Sequence, residues 1–135
     1  MNQRAENTNM ETTRMELHYE IERLQDVAIV RFAGRMVRSA ELDALRWRVE
    51  QLGSVRVVVL DLSEVQQIDA GGLGALLLVR RWAVQNSTRL KLVNPPAFLR
   101  RVLEATKLSS VFEVSSLKDA LNILRPACTR HFAVA

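Results

Sequence analysis

The most informative part of the sequence is a strand-to-helix junction at residues 67–81, which reads Gln67-Ile68-Asp69-Ala70-Gly71-Gly72-Leu73-Gly74-Ala75-Leu76-Leu77-Leu78-Val79-Arg80-Arg81. An apolar strand ends there in an acid, passes three glycines and turns at once into an apolar helix. Asp69 is typical of a helix N-cap, because its carboxylate can accept hydrogen bonds from the N–H groups of the first turn. The small residues after it let the start of the helix lie close against the strand. The junction therefore predicts a buried strand that leads directly into a capped helix.

The chain around this junction alternates between strands and helices. Apolar residues recur at every second position in some segments and at helical spacing in others. The predicted strands are residues 15–22, 27–33, 55–62, 89–93 and 111–114, and the predicted helices are residues 39–52, 70–86, 94–104 and 117–124. A tight turn at residues 24–26 makes a hairpin of the first two strands. We therefore predict an α/β fold with a mixed, mostly parallel central sheet, an N-terminal β-hairpin and about four helices on one or both faces.

Three residues are expected to mark the ends of these elements. Gly34 is expected to end the second strand. Ser39 suits the N-cap of the next helix, with Glu41 in the positively polarised first turn. Asn94 is expected to cap the helix after the fourth strand, because the prolines that follow it fit a first turn that needs no N–H donors.

The 135 residues suffice for one domain with tails. We expect a disordered tail over residues 1–13, the domain over residues 14–125 and a flexible tail over residues 126–135. Cys128 is the only cysteine, so no disulfide is expected, and the N-terminus lacks the apolar core of a signal peptide. No apolar run approaches the length of a membrane span. These features predict a cytoplasmic protein without membrane insertion.

The basic residues do not form a nucleic-acid-binding pattern. The net charge is +4, and most of the 19 basic residues are arginines spread along the chain beside acids. Aromatic residues make up only 5% of the chain. Nucleic-acid surfaces combine a basic patch with aromatic side chains on which bases stack, so we expect no nucleic-acid partner.

The glycine-rich junction lacks the side chains that catalysis or cofactor binding needs. A P-loop needs a lysine that reaches the phosphates, and no lysine lies between residues 1 and 90. A dinucleotide fingerprint needs a third glycine where Leu77 stands, and no serine has the flanks of a hydrolase nucleophile. His18 and His131 have no nucleophile near them in the sequence, and metal-ligand spacing is absent. We therefore expect no enzyme activity, no cofactor and no metal site.

Residues 69–74 read Asp-Ala-Gly-Gly-Leu-Gly, and three further segments stand around them in a fixed order: 32–36, 57–63 and 92–104. The junction resembles the D-S-S-G-L-G motif of the STAS domain family, which includes the bacterial anti-sigma factor antagonists. The other segments resemble that family's glycine turn, its central strand, and the strand and helix that follow. The resemblance covers about residues 15–125, and it implies the STAS fold.

The resemblance also implies a function. In this family, a non-enzymatic module binds a kinase-like anti-sigma factor, removes it from its sigma factor and so regulates transcription. The kinase then phosphorylates the first serine of the motif, and the complex separates. Ala70 stands at that position and Gly71 at the next, so this chain has no phosphorylatable hydroxyl there. The expected partner surface is the helix start at residues 69–78 together with a loop at residues 34–39. Its members in the helix start are Asp69, Ala70, Gly71, Gly72, Gly74, Ala75 and Leu78. Arg35 and Arg38 in the loop are expected to meet an acidic partner; the alternative is that they are only solvated.

Other interpretations stay open. STAS relatives also serve as scaffold subunits of lipid or ABC transporters and of stress-signalling complexes, or stand beside anion transporters, and a homodimer fits the same scaffold. Free N–H groups at Gly71 and Gly72 would form an anion site for a nucleotide or another small ligand. In the simplest interpretation, the junction is only a helix cap.

The helix after the junction is apolar on nearly every side, which indicates deep burial or contact with a partner. One face is expected to combine Leu73, Leu76, Leu77, Ala83 and Val84, and another Ala75, Leu78 and Trp82. Trp47 falls opposite the apolar stripe of its own helix and is expected to be exposed. An exposed tryptophan is a candidate interface anchor; the alternative is that it lies flat on its own helix.

Overall fold

A computed structural model describes residues 16–116, which form five strands and three helices. In chain order these are β1 (His18–Leu24), β2 (Val27–Met36), α1 (Ala40–Glu50), β3 (Val57–Ile68), α2 (Ala70–Gln85), β4 (Arg89–Val93), α3 (Ala97–Ala105) and β5 (Glu113–Ser115). This order confirms the predicted alternation of strands and helices up to β5. The predicted helix over 117–124 and the two predicted tails lie outside the described residues.

The five strands form one sheet in the order β1-β2-β3-β4-β5. β1 and β2 run antiparallel, and each later pair is parallel. The hairpin turn passes through Gln25, whose φ of 57° lies in the left-handed region. These features confirm the predicted mixed, mostly parallel sheet with an N-terminal hairpin.

All three helices contribute to the core on one face of the sheet. Alternate residues of β2, β3 and β4 point to this face, as the period of a strand requires. They pack with the buried stripes of α1 (Leu42, Leu45, Val49), of α2 (Ala75, Leu76, Val79, Trp82, Ala83) and of α3 (Leu99, Leu103). Burial of one such side chain stabilises the fold by about 1.5–3 kcal/mol, so this cluster anchors the helices to the sheet.

The opposite face of the sheet holds a smaller buried cluster of Val27, Ile29, Val57, Val59 and Val93. Lys91 lies in the same row of the sheet as Val59. Its side chain is only 3% exposed, and its Nζ lies 2.9 Å from Oε2 of Glu113 on the neighbouring strand. This ion pair compensates a lysine charge that would otherwise be buried alone.

The first and last strands differ from their predicted bounds by a few residues, and two strands continue well beyond their predicted ends. β2 continues through Gly34 to Met36, and β3 continues to Ile68. The prediction for Gly34 was wrong because this glycine, with a φ of 98°, sits beside a register shift in β2 and does not end the strand. The later part of β3 was missed because its residues are mostly exposed, so the apolar run stops after Leu62 although the strand continues beside β2.

Outside the junction, one predicted helix start is correct and one is wrong. The Oγ of Ser39 accepts a hydrogen bond from the Leu42 N–H at 3.2 Å, which confirms Ser39 as the N-cap of α1. The predicted cap of α3 at Asn94 is wrong. Asn94 has a φ of 52° and its N–H donates to the Ser115 carbonyl, whereas Pro96 holds the N-cap position without a side-chain bond. The two prolines delay the helix start by two residues.

Candidate functional site

Asp69 joins the start of α2 to the segment between β2 and α1. As predicted, it is the N-cap of α2, and its Oδ1 accepts a hydrogen bond from the Gly72 N–H at 2.8 Å. Its Oδ2 accepts a second hydrogen bond, from the Arg38 N–H at 3.2 Å. The N–H of Asp69 donates in turn to the Met36 carbonyl oxygen at 3.4 Å. Two of these three hydrogen bonds therefore hold two sequence-distant segments together, and the third caps the helix.

The same hydrogen bonds keep the Asp69 carboxyl ionised. The bond from the Gly72 N–H is the largest cause that lowers the pKa of Asp69 below the ordinary 3.8. Burial raises this pKa, but by less, so the pKa remains lowered. The N–H groups of Arg38 and Gly71 lower the pKa further. Because the Gly72 N–H already donates to Asp69, this group is not free to bind an anion, as the small-ligand interpretation required of it.

Two glycines allow the close approach of the 36–39 segment to α2. A Cβ atom on Gly72 would overlap the Met36 carbonyl oxygen. A Cβ atom on Gly71 would lie 2.9 Å from the Cβ of Arg38, which is shorter than side chains tolerate. Gly74 differs, because a Cβ atom there would meet nothing within 4 Å. The family serine that Gly71 replaces would therefore not fit this arrangement of the 36–39 segment.

The structure places the nine predicted contact residues at different depths. Arg38, Asp69, Ala70 and Leu78 are exposed, and Arg35, Gly71 and Gly74 are half-buried. Gly72 and Ala75 are buried. The loop expected over 34–39 is shorter than predicted, because residues 34–36 belong to β2.

The residues nearest Asp69 form one surface, and Leu78 lies apart from it. Arg38, Asp69, Ala70 and Gly71 meet where the 36–39 segment reaches α2. Leu78 lies eight residues further along the helix, about 12 Å away at 1.5 Å per residue. Gly72 and Ala75 support this surface from inside and offer little contact area.

Two arginines beside the helix start carry positive charge without an ion pair. Within residues 16–116, neither Arg35 nor Arg38 pairs with a carboxylate. The Nε of Arg35 is buried and has no hydrogen-bond partner in the described part of the chain. The nearby carboxylate of Asp69 accepts its hydrogen bonds from backbone N–H groups and stays ionised. This part of the molecule therefore combines two positive charges with one negative charge.

The outer side of α2 differs from the predicted faces. Leu77 and Val84 were expected to share a face with Leu76 and Ala83, yet they are 38% and 64% exposed while the other two are buried. The buried side centres on Val79, and packing of this side on the sheet separates the two sets. Trp47 is 62% exposed, as predicted, and Trp82 packs in the core.

Across the described part of the chain, no three His, Cys, Asp or Glu side chains gather in a group that could hold a metal ion. None of the helices found between residues 16 and 116 is long and apolar enough to cross a membrane.

Comparison with known proteins places these features in a family. A sequence model of the STAS domain matches residues 18–121. Among similar solved structures, the anti-sigma factor antagonist SpoIIAA in its unphosphorylated form has 18% identity and a TM-score of 0.69, over 81% of this chain and 97% of that one. An anti-sigma factor antagonist from Mycobacterium paratuberculosis has 23% identity and a TM-score of 0.69, over 82% and 95% of the two chains.

A transporter-related protein has the same fold. The sulfate transporter family protein from Wolinella succinogenes has 20% identity and a TM-score of 0.68, over 76% of this chain and 87% of that one. The similar structures thus include antagonists and a transporter family member.

Proposed function

The chain belongs to the STAS domain family, and on this premise we propose that it binds an anti-sigma factor without catalysis and so regulates transcription. The proposed contact surface is the start of α2 together with the 36–39 segment and the end of β2. Its exposed and half-buried members are Arg35, Arg38, Asp69, Ala70, Gly71 and Gly74. The exposed Leu78 is a further proposed contact, about 12 Å along α2 from this surface. Gly72 and Ala75 shape this surface from beneath.

One observation carries the proposal, namely the pair of hydrogen bonds that Asp69 accepts from Gly72 and Arg38. They fix the helix start and the preceding segment in one arrangement before any partner arrives. A preformed surface loses less conformational freedom on binding, and this raises affinity. The similar structures described as anti-sigma factor antagonists support the choice of partner class.

Ala70 determines how such binding can be controlled. Its side chain is exposed at the first position of α2, and a methyl group cannot accept a phosphoryl group. The proposed surface therefore stays competent to bind, and its regulation comes from the abundance of the protein or from a competing partner. A negative charge introduced at this position imitates the charge of a phosphate, so it offers a way to switch the surface off.

A second candidate function is a scaffold subunit of a transporter or signalling complex. The likeness to a sulfate transporter family protein favours it. In that case the junction at residues 69–74 serves only as a helix cap, and partner contacts lie on other surfaces. The two functions therefore differ in whether Ala70 touches the partner.

Affinity purification from native cell lysate, followed by mass spectrometry, separates these candidates. The natural chain is compared with Ala70→Glu and with Ala97→Glu as a matched control, because Ala97 is also an exposed alanine at the first position of a helix. We expect the natural chain and Ala97→Glu to recover an ATPase-type anti-sigma factor, and Ala70→Glu to lose it. Recovery of transporter subunits, or of the same partner by all three chains, contradicts the proposed surface.

A further inference from the structure

The solvent side of α2 carries a regular row of residues that the core does not use. Its members are Ala70, Gly74, Leu77, Arg81 and Val84, here called the outward seam. Gly74 is half-buried and the other four are exposed. The opposite side of the same helix is buried in the core, so α2 is anchored independently of this row.

The spacing of the outward seam suits a second helix. Its members follow one another at intervals of four, three, four and three residues. This mean interval of about 3.5 residues is the repeat at which two helices keep facing each other. The row spans fifteen residues, from Ala70 to Val84, or about 21 Å of helix. Near Ala70 and Gly74 the side chains are small, so a partner backbone can approach closely at that end.

Exposed apolar side chains on the outward seam lack a partner within the described chain. Leu77 is 38% exposed and Val84 is 64% exposed. Leu78 flanks the row and is 39% exposed. A helix that is apolar on its solvent side as well as on its core side indicates an interaction surface.

The charges on α2 indicate the sign of the charge that a partner should carry. The helix contains no acidic residue, and its charged residues are Arg80 and Arg81. The Nε of Arg80 donates to the Val111 carbonyl oxygen, which turns that side chain away from the row. Arg81 lies within the row and forms no ion pair among residues 16–116. Neighbouring α1 carries both signs of charge, with three acids beside Arg46 and Arg48, so the charge of the row itself is that of Arg81.

From this row we propose that α2 docks a helix of the partner protein along its whole length. The docked helix has apolar residues at 3.5-residue spacing and a carboxylate that faces Arg81. This inference rests on the proposed function, since both assign the partner to α2, and it extends the contact from the helix start to the last turn. It defines the partner element as an acidic amphipathic helix.

The test uses two synthetic peptides and the full-length chain labelled with ¹⁵N. One peptide is an amphipathic helix about 21 residues long, with leucines at coiled-coil spacing and glutamates elsewhere, so that it covers the row. The other has lysine in place of every glutamate. We expect the glutamate peptide to shift amide resonances of residues 70–85 and to bind about tenfold more tightly than the lysine peptide. Equal binding of both peptides, or shifts confined to other elements, overturns the proposal.

Variants locate the contact on the row. Val84→Asp is expected to abolish binding of the glutamate peptide, whereas Leu24→Asp, at a comparably exposed apolar side chain on β1, leaves it unchanged. Arg81→Glu is expected to reverse the preference, so that the lysine peptide binds more tightly. Each variant first has to show the dispersed amide spectrum of the natural chain. Unchanged preference in a folded Arg81→Glu chain contradicts the assigned role of this arginine.

The outcomes for the two proposals can be separated. The peptides are added to the isolated chain, so their binding does not depend on an anti-sigma factor. If both peptides bind equally while Ala70→Glu loses the anti-sigma factor, the proposed docking of a helix on the outward seam is contradicted and the proposed function stands. If the glutamate peptide binds the row while Ala70→Glu keeps every partner, the proposed function fails and the docking surface stands.

Discussion

The carboxylate of Asp69 accepts a hydrogen bond from the backbone N–H of Arg38, 31 residues earlier in the chain, at 3.2 Å. The same carboxylate caps α2 through Gly72. A single side chain thus sets the geometry between the helix start and the segment that follows β2. The proposed binding surface depends on this hydrogen bond, because the bond fixes the helix start and the 36–39 segment relative to each other.

Removal of the Asp69 carboxylate is expected to destabilise the fold and loosen the surface. Asp69→Ala deletes a helix cap, which costs about 1 kcal/mol of unfolding free energy. It also frees the Arg38 N–H, so amide exchange at Arg38 is expected to accelerate. Urea unfolding and hydrogen exchange check both effects. An unchanged exchange rate at Arg38 in the variant contradicts the role assigned to Asp69 in holding the segment.

A serine at position 71 is expected to disturb the structure, although the family carries one there. The Cβ of Gly71→Ser would lie 2.9 Å from the Cβ of Arg38, so the 36–39 segment has to shift. Such overpacking costs about 1–3 kcal/mol. Gly74→Ser is the matched control, because open space surrounds that position and serine is a better helix former than glycine. Thermal unfolding of both variants checks the contrast, and equal midpoints count against the close approach at Gly71.

Loss of the Glu113 carboxylate is expected to lower the free energy of unfolding, because it leaves a buried lysine without its partner. Lys91 is 3% exposed, and its Nζ lies 2.9 Å from Glu113. Glu113→Ala leaves this ammonium without its acceptor, and we expect a loss of about 1–3 kcal/mol in unfolding free energy. Glu104→Ala, at an exposed carboxylate on α3, serves as the control and is expected to change little. A Glu113→Ala chain as stable as this control contradicts the assigned pairing.

Acid is expected to weaken the fold through two carboxyl groups. The hydrogen bond from Lys91 is the largest cause that lowers the pKa of Glu113 below its ordinary 4.5, and the pKa of Asp69 lies below 3.8. Each folded carboxyl therefore binds its proton less tightly than in the unfolded chain. The stability it contributes is complete above the unfolded pKa and is lost as the pH falls through the lower folded pKa.

Urea midpoints measured at several pH values check this linkage. We expect the midpoint to begin to fall below pH 4.5, where the unfolded Glu113 carboxyl takes up its proton first. Glu113→Gln should flatten the upper part of that decline and leave the lower part, which belongs to Asp69. A decline of the same shape in this variant shows that Glu113 does not contribute.

Local signals in the sequence predicted the elements and the cap. Asp69 was identified because an acid before a helix of small and apolar residues suits the N-cap, and the structure confirms that bond. Ser39 was identified for the same reason. These features depend on residues within one helical turn, so a single segment contains the information.

Features that depend on contacts between distant segments could not be predicted from such local signals. The contact between Gly71 and Arg38 requires the register of β2 on β3, which the sequence does not display. The bulged continuation of β2 beyond Gly34 has the same origin. The solvent side of α2 was misassigned because a helix that is apolar all round gives no contrast between its faces, and only packing on the sheet decides which face is buried.

The most direct measurement of the central claim is isothermal titration of the recovered anti-sigma factor with three purified chains. The natural chain and Ala97→Glu are predicted to bind with equal affinity. Ala70→Glu is predicted to bind at least about tenfold more weakly, because its charge is desolvated at the contact. Equal affinity of Ala70→Glu and Ala97→Glu would contradict the account, because it would show that the start of α2 does not touch the partner.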